Sequence, residues 1–132
     1  MAQELSEPIV LLLETDFPTD RTVEVVAISY PSSGLEVTLE SIHGRALVTF
    51  PKVTGFRVLD EGDLSEFWTK CSLKEGWLFE VHQGGWKDLE LKRPYFVSGL
   101  LYPLREYLIV GFDLCVSVLS HDTPSVSCVR PL

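Results

Sequence analysis

The sequence predicts an α+β domain in which a largely antiparallel β-sheet packs against one main helix, at about residues 61–71, and a short second helix, at about residues 86–92. Three observations support this prediction. Most of the chain consists of short apolar or alternating runs between Pro- and Gly-containing turns, which are typical of strands. The apolar spacing changes clearly to that of a helix in the middle of the chain. The length of 132 residues suits a single domain spanning residues 1–132.

The first half of the chain is predicted to be a series of strands. Residues 9–13 form a continuous apolar run after Pro8, and residues 23–30 are rich in β-branched side chains. After a turn at residues 31–34, the apolar residues at 35, 37 and 39 alternate with polar ones, which indicates a hairpin with one face in water. Residues 46–50 and 56–59 continue the pattern.

The main helix is predicted from a change of period. Asp60 or Asp63 can cap its start, and Lys70 and Lys74 lie near its negative end. The helical spacing i, i+3, i+4 and i+7 is shown by four apolar residues, Leu64, Phe67, Trp68 and Cys71.

The second half returns to strands. Residues 77–81 are predicted to be a strand, and the turn at residues 83–85 opens the short helix, on which Trp86 and Leu89 share a side. Residues 107–110 and 114–119 are strands joined by a turn, and the chain is expected to be extended from Pro124 onward.

The charge of the chain is concentrated in its first half. Residues 1–66 hold twelve acidic and four basic side chains, whereas residues 67–132 hold seven of each, so the net charge of −8 belongs to the first half. A field of one sign favours a basic partner and disfavours a nucleic acid, because phosphate binding needs cationic side chains.

The cysteines and the amino terminus bear on the cellular compartment. Cys71, Cys115 and Cys128 are widely spaced and odd in number, which suits thiols in a reducing cytoplasm. Residues 1–5 carry no basic region, and the first apolar run is much shorter than a membrane span, so neither an export signal nor membrane association is expected.

The sequence shows no local motif for catalysis, a cofactor or a metal. His43, His82 and His121 are far apart in the chain, without a neighbouring ligand. A nucleophile formed by Cys115 with His121 and Asp122 stays an alternative, although Cys115 is predicted in a buried strand. The acidic cluster at residues 60–66 lacks the layout of a cation loop and is interpreted as helix capping. The glycines at residues 84–85 indicate a tight turn rather than a phosphate site.

Aromatic residues concentrate in the middle third of the chain and are interpreted as core, with ligand stacking as the alternative. That alternative predicts a small-ligand-binding domain whose aromatic pocket lies between the sheet and the helix that carries Trp68. The residues concerned are Phe67, Trp68, Trp77, Trp86, Tyr95 and Phe96.

Four segments resemble those of small bacterial proteins similar to the immunity proteins of contact-dependent and polymorphic toxin systems. They are FRVLDEGDL-x-x-FW at residues 56–68, WLFEV at 77–81, EYLIV at 106–110 and CVSVLS at 115–120, within a similarity that spans roughly residues 54–120. The resemblance implies a compact α+β protein that neutralises a toxin by binding it. It carries over no binding residue.

The leading hypothesis is therefore a non-enzymatic, cytoplasmic protein-binding module, an immunity-type inhibitor that binds a basic toxin or another basic protein through its acidic N-terminal half. Toxins that cut nucleic acid have basic surfaces, so an acidic inhibitor would associate with them fast and in a salt-dependent way. The candidate binding residues are Glu14, Asp16, Asp20, Glu24, Glu36, Glu40, Asp60, Glu61, Asp63 and Glu66.

Beside the inhibitor and the small-ligand-binding domain, a third hypothesis is an enzyme that uses Cys115 or a histidine.

Overall fold

The computed structural model describes residues 6–101 and 103–129 and confirms the α+β class. Residues 1–5, considered above for an export signal, lie outside the described part. The strands are β1 (Ile9–Leu12), β2 (Glu24–Ser29), β3 (Leu35–Ser41), β4 (Gly44–Phe50), β5 (Gly55–Asp60), β6 (Leu78–Gln83), β7 (Arg105–Val110), β8 (Leu114–Ser120) and β9 (Ser125–Val129). The helices are a 3₁₀ helix (Glu61–Phe67), α1 (Trp86–Leu91) and a second 3₁₀ helix (Val97–Leu100).

The strands form two antiparallel sheets. Sheet A has the order β1-β6-β7-β8-β5, and sheet B has the order β2-β3-β4-β9. The predicted hairpin of β2 and β3 is present, and the segment after Pro124 becomes β9, which pairs with β4 across about 80 residues of sequence.

The two sheets pack face to face, and sheet A is the middle of three layers. Alternate residues of β3 and β4 meet Leu78, Tyr107, Ile109, Val116 and Val118 of sheet A in the inter-sheet core. The opposite face of sheet A is covered by the first 3₁₀ helix and the turn after it. This second core is formed by Leu64, Phe67, Cys71, Phe79, Val81, Leu108, Val110 and Cys115.

The main helix differs from the prediction in type and length. It is a 3₁₀ helix that ends at Phe67 instead of continuing to Cys71, and its interior contains a break at Leu64, with φ −125° and ψ 31°. The predicted cap is present, since the Asp60 side chain accepts a hydrogen bond of 2.8 Å from Gly62 N. Leu64, Phe67 and Cys71 still face the core because a 3₁₀ turn followed by a hydrogen-bonded turn, closed by Cys71 N to Phe67 O, keeps them on one side.

The second helix begins at Trp86 as predicted and ends at Leu91, and the turn before it contains Gly84 with a φ of +79°. The second 3₁₀ helix lies in a segment without a clear apolar period and was not predicted. Among residues 6–101 and 103–129, no helix is long and apolar enough to cross a membrane.

Candidate functional site

The ten acidic residues predicted to bind a partner fall into three groups. Five follow one end of the sandwich, one lies near the start of β3 on the same exposed face of sheet B as Glu24 and Glu40, and four belong to the start of the helical layer on the far side of sheet A. We call the first group the acidic band; it consists of Glu14, Asp16, Asp20, Glu24 and Glu40. The single residue is Glu36, and the helical group is Asp60, Glu61, Asp63 and Glu66.

Contacts between the β1–β2 loop and the β3–β4 hairpin hold the middle of the acidic band. Asp20 Oδ2 lies 2.7 Å from Nε2 of His43 in the hairpin. Asp20 also accepts a hydrogen bond from Thr22 N, and the Thr22 hydroxyl oxygen accepts one of 3.1 Å from Ile42 N. Hydrogen bonds from Thr22, and to a lesser extent from His43, lower the pKa of Asp20. This carboxylate is therefore fixed and ionised.

The other end of the acidic band lies on the exposed face of sheet B. Glu24 and Glu40 are directly opposite each other in β2 and β3, and Arg45 is opposite Glu40 on its other side. Like charges in directly opposite positions are destabilising. Arg45 forms an ion pair with Glu40, whereas Glu24 has none within the described residues. A cation supplied by a partner would relieve the repulsion.

A groove of about 520 Å³ opens between the sheets, beside the acidic band. Its acidic side is formed by Glu14 and Asp16, and a cavity of about 430 Å³ that includes Asp16 and His43 continues it toward the β3–β4 hairpin. We call the first space the inter-sheet groove; it is lined by Leu13, Glu14, Thr15, Asp16, Leu78, Glu80, Tyr107, Thr123, Pro124, Val126 and Cys128.

Tyr107 is a buried polar residue in the wall of the inter-sheet groove. The residue is 0% exposed, and its ring packs at 5.6 Å from that of Phe50. Its hydroxyl has no hydrogen-bond partner among the described residues. Burial, and then the charge of Glu80, raise the pKa of Tyr107 to about 12, so the phenol is neutral at physiological pH.

Glu80 is a functional candidate that the sequence analysis missed. It stands opposite Tyr107 in the pair β6–β7 and lines the inter-sheet groove. Its carboxylate lies 3.3 Å from Nη1 of Arg105, which partly compensates its charge, and 3.5 Å from Nε2 of His82. The polar residues Glu80 and Tyr107 inside strongly apolar strands are the signal that could have identified this site.

Two of the four residues in the helical acidic group have a structural role on the opposite side of sheet A. Asp60 caps the 3₁₀ helix, and the charge of Glu66 acts on Arg57. Because sheet A separates this group from the exposed face of sheet B, the ten residues do not form one surface.

A buried polar cluster near the helical group contains Glu106, whose carboxylate is hydrogen-bonded, and Arg57, whose Nε has no hydrogen-bond partner among the described residues. Both carboxylate oxygens of Glu106 accept backbone hydrogen bonds, from Trp86 N at 3.0 Å and from Lys87 N at 2.7 Å. Arg57 stacks over the Trp86 ring at 5.2 Å, and burial lowers its pKa against the opposing influence of Glu106, Glu66 and Glu90. Glu106 therefore holds the start of α1 against β7.

The three tryptophans lie in three separate places. Trp77 belongs to the inter-sheet core and donates its Nε1 hydrogen to Phe17 O at 2.9 Å, and Trp86 lies beneath Arg57. Trp68 lines a cavity of about 380 Å³ with Val110, Phe112 and five other residues. The alternative prediction of a pocket beside Trp68 thus has a cavity to match it, although the other two rings lie elsewhere.

The residues of the predicted nucleophile are not brought together. Cys115 is at the start of β8 and packs in the second core, whereas His121 follows the end of β8, roughly 20 Å away along an extended strand. Nδ1 of His121 is bonded to Pro103 O at 2.7 Å. Burial raises the pKa of Cys115 to about 11 and that of Cys71 to about 12, so both are thiols at neutral pH.

Metal ligands are equally dispersed. Within residues 6–101 and 103–129, no group of three or more His, Cys, Asp or Glu side chains is placed to hold a metal ion. Comparison of the chain with known protein families, curated proteins and solved structures found no match.

Proposed function

We propose that the protein is a binding module for a basic protein, and that the acidic band is its docking surface. An immunity-type inhibitor that binds a basic toxin is the specific case that the resemblance suggests. The observation that carries the proposal is a row of carboxylates. It begins at the cross-strand pair of Glu24 and Glu40 and continues through Asp20 and Asp16 to the mouth of the inter-sheet groove.

Two physical arguments support this surface over the helical acidic group. Two of its carboxylates are already fixed, Asp20 by Thr22 and His43 and Glu40 by its ion pair with Arg45, so these two need little ordering on binding. It also adjoins the inter-sheet groove, whereas in the helical group Asp60 already serves as a cap and the charge of Glu66 acts on Arg57. Acidic residues in one surface accelerate encounter with a basic partner and make the binding salt-dependent.

The test is an affinity capture from the native cells at low salt, followed by a salt gradient and mass spectrometry. A stoichiometric basic protein that is released as salt rises is the expected result. The double variant Asp16→Lys/Glu24→Lys should lose that protein. The matched control Asp63→Lys/Glu66→Lys makes the same change of charge at two exposed residues of the helical acidic group that line neither the inter-sheet groove nor the cavity beside Trp68, and it should retain the protein. Equal loss by both variants would show that net charge, and not this surface, determines the binding.

A second candidate function rests on the cavity beside Trp68. Arg21 and Glu61 place opposite charges at its mouth, and Leu73, Val110 and Phe112 supply apolar walls. We propose, as the alternative, that it takes a small aromatic compound. Tryptophan fluorescence of the wild type should then respond to such a compound in a library screen, and Trp68→Phe should abolish the response while Trp86→Phe keeps it. A response that survives Trp68→Phe would exclude this cavity.

A further inference from the structure

The wall and the rim of the inter-sheet groove differ in chemistry. Leu13, Leu78 and Val126 supply apolar surface, and the buried hydroxyl of Tyr107 lies among them. The carboxylates of Glu14 and Asp16 stand at the rim, where both residues are exposed. A group that fits both parts is apolar along most of its length and polar at its end.

The hydroxyl of Tyr107 is a buried polar group without a hydrogen-bond partner among the described residues. Most buried polar groups in folded proteins are hydrogen-bonded, because a buried group without a partner loses its hydration without compensation. Within the described residues this oxygen has no hydrogen-bond partner, and burial, followed by the charge of Glu80, disfavours the phenolate although Arg105 opposes this effect. The neutral hydroxyl is therefore available as an acceptor for a donor that enters the groove.

The charge of the lining selects a cation. Glu14, Asp16 and Glu80 contribute three carboxylates, and none of the described lining residues is a lysine or an arginine. Arg105 already compensates part of the Glu80 charge. The remaining negative charge is that of Glu14 and Asp16, which have no ion pair among the residues described.

We infer that the inter-sheet groove is an anchor site for one lysine or arginine side chain of the partner, with its aliphatic stem on Leu78 and Val126 and its cationic end between the Tyr107 hydroxyl and the carboxylates of Glu14 and Asp16. This inference rests on the proposed function and specifies it. Long cationic side chains bury their stems while their charged ends meet polar groups. The groove, at about 520 Å³, has room for such a side chain.

The direct test uses small probes instead of the partner. Backbone amide chemical shifts of the labelled protein are followed while blocked lysine (N-acetyl-lysine-N-methylamide) or blocked arginine is added, with blocked norleucine as the neutral control. Saturable shifts of Leu78, Tyr107 and Val126 with the two cations, and not with norleucine, support the anchor. Equal shifts with norleucine, or no shifts at all, overturn it.

Tyr107→Phe removes only the hydroxyl, and Tyr95→Phe, at an exposed site, is its control. Tyr107→Phe should weaken binding of the cationic probes about tenfold, because a hydrogen bond from a charged donor is lost. Glu14→Gln/Asp16→Asn should weaken binding at least as much. Unchanged binding by both variants overturns the anchor.

The two proposals fail in different ways. If the captured partner depends on Asp16 and Glu24 but the probes do not bind in the groove, the docking surface stands and the anchor is overturned. If the cationic probes bind in the groove while no basic protein is captured, the anchor is supported and the proposed function is not.

Discussion

Glu106 and Tyr107 are neighbours in β7, and because side chains alternate along a strand they point to opposite faces of sheet A. Both are buried, at 1% and 0% exposure. Glu106 faces the helical layer, where Trp86 N and Lys87 N donate to its carboxylate, whereas Tyr107 faces the inter-sheet groove with its hydroxyl unpartnered among the described residues. The carboxylate of Glu106 therefore stabilises the fold, whereas the hydroxyl of Tyr107 is available to a bound group.

The largest expected effect on the free energy of unfolding is at Glu106. Glu106→Ala leaves the first two N–H groups of α1, which are partly buried, without an acceptor. Each such loss costs about 1 to 3 kcal/mol for a buried group, so the free energy of unfolding should fall by about 3 kcal/mol. Glu106→Gln keeps one acceptor oxygen and should cost less. Urea unfolding measures both. A fall below about 1 kcal/mol in Glu106→Ala would show that α1 does not depend on this carboxylate.

The space around Glu106 gives a second, smaller effect. A methyl group added at Gly85 would lie 2.6 and 2.7 Å from the two carboxylate oxygens of Glu106, and 2.8 Å from a methyl of Val81. Gly85→Ala should therefore lower the free energy of unfolding by about 2 kcal/mol through overpacking. The control is Gly55→Ala, where the nearest atom, in the Trp86 ring, is 3.4 Å away and little change is expected. Equal stability of the two variants would contradict the packing described for Glu106.

The pH dependence of stability should carry the signature of Glu106. Burial raises the pKa of Glu106 above its ordinary value, although the N–H groups of Lys87 and Trp86 and the charge of Arg57 oppose the shift. The folded state therefore holds this proton more tightly than the unfolded state. As pH rises from the ordinary pKa of 4.5 through the folded value, this contribution to stability is lost.

The measurement is the difference in free energy of unfolding between wild type and Glu106→Gln as a function of pH. Subtraction removes the opposite effect of Glu7, Asp20, Glu75 and Glu90, whose pKa values are lowered by hydrogen bonds or ion pairs. We expect the advantage of the wild type to decrease as pH rises above 4.5. A constant or increasing difference would mean that the two backbone donors outweigh burial.

Local features of the fold were predictable from the sequence, and long-range ones were not. Alternation in β3 identified the buried face, and the 3₁₀ helix is capped by Asp60, one of the two residues predicted to cap it. The same alternation is present in any sheet, so it does not show that β9 joins β4 or that the strands form two sheets. The 3₁₀ type was also hidden, because Leu64 and Phe67 are spaced by three residues in either kind of helix.

The candidate site was predictable only in part for the same reason. The acidic band was contained in the predicted residues, but the sequence did not separate it from the helical acidic group on the far side of sheet A. The inter-sheet groove joins Leu13 to Val126 and Cys128, more than 110 residues apart in the chain. No local sequence pattern predicts such a contact. The one local indication of the inter-sheet groove was the presence of the polar residues Glu80 and Tyr107 within buried strands.

The smallest expected effect on the free energy of unfolding is at Tyr107. A buried tyrosine with a satisfied hydroxyl loses about 1 kcal/mol when it becomes phenylalanine, because a hydrogen bond is removed. The hydroxyl of Tyr107 has no hydrogen bond to a described residue and is buried without compensation, so Tyr107→Phe should be at least as stable as the wild type in urea. The ring still packs on Phe50, so the core is preserved. A loss above about 1.5 kcal/mol would mean that the hydroxyl is already bonded, for example to an ordered water, and that Tyr107 belongs with Glu106 among the groups that hold the fold together.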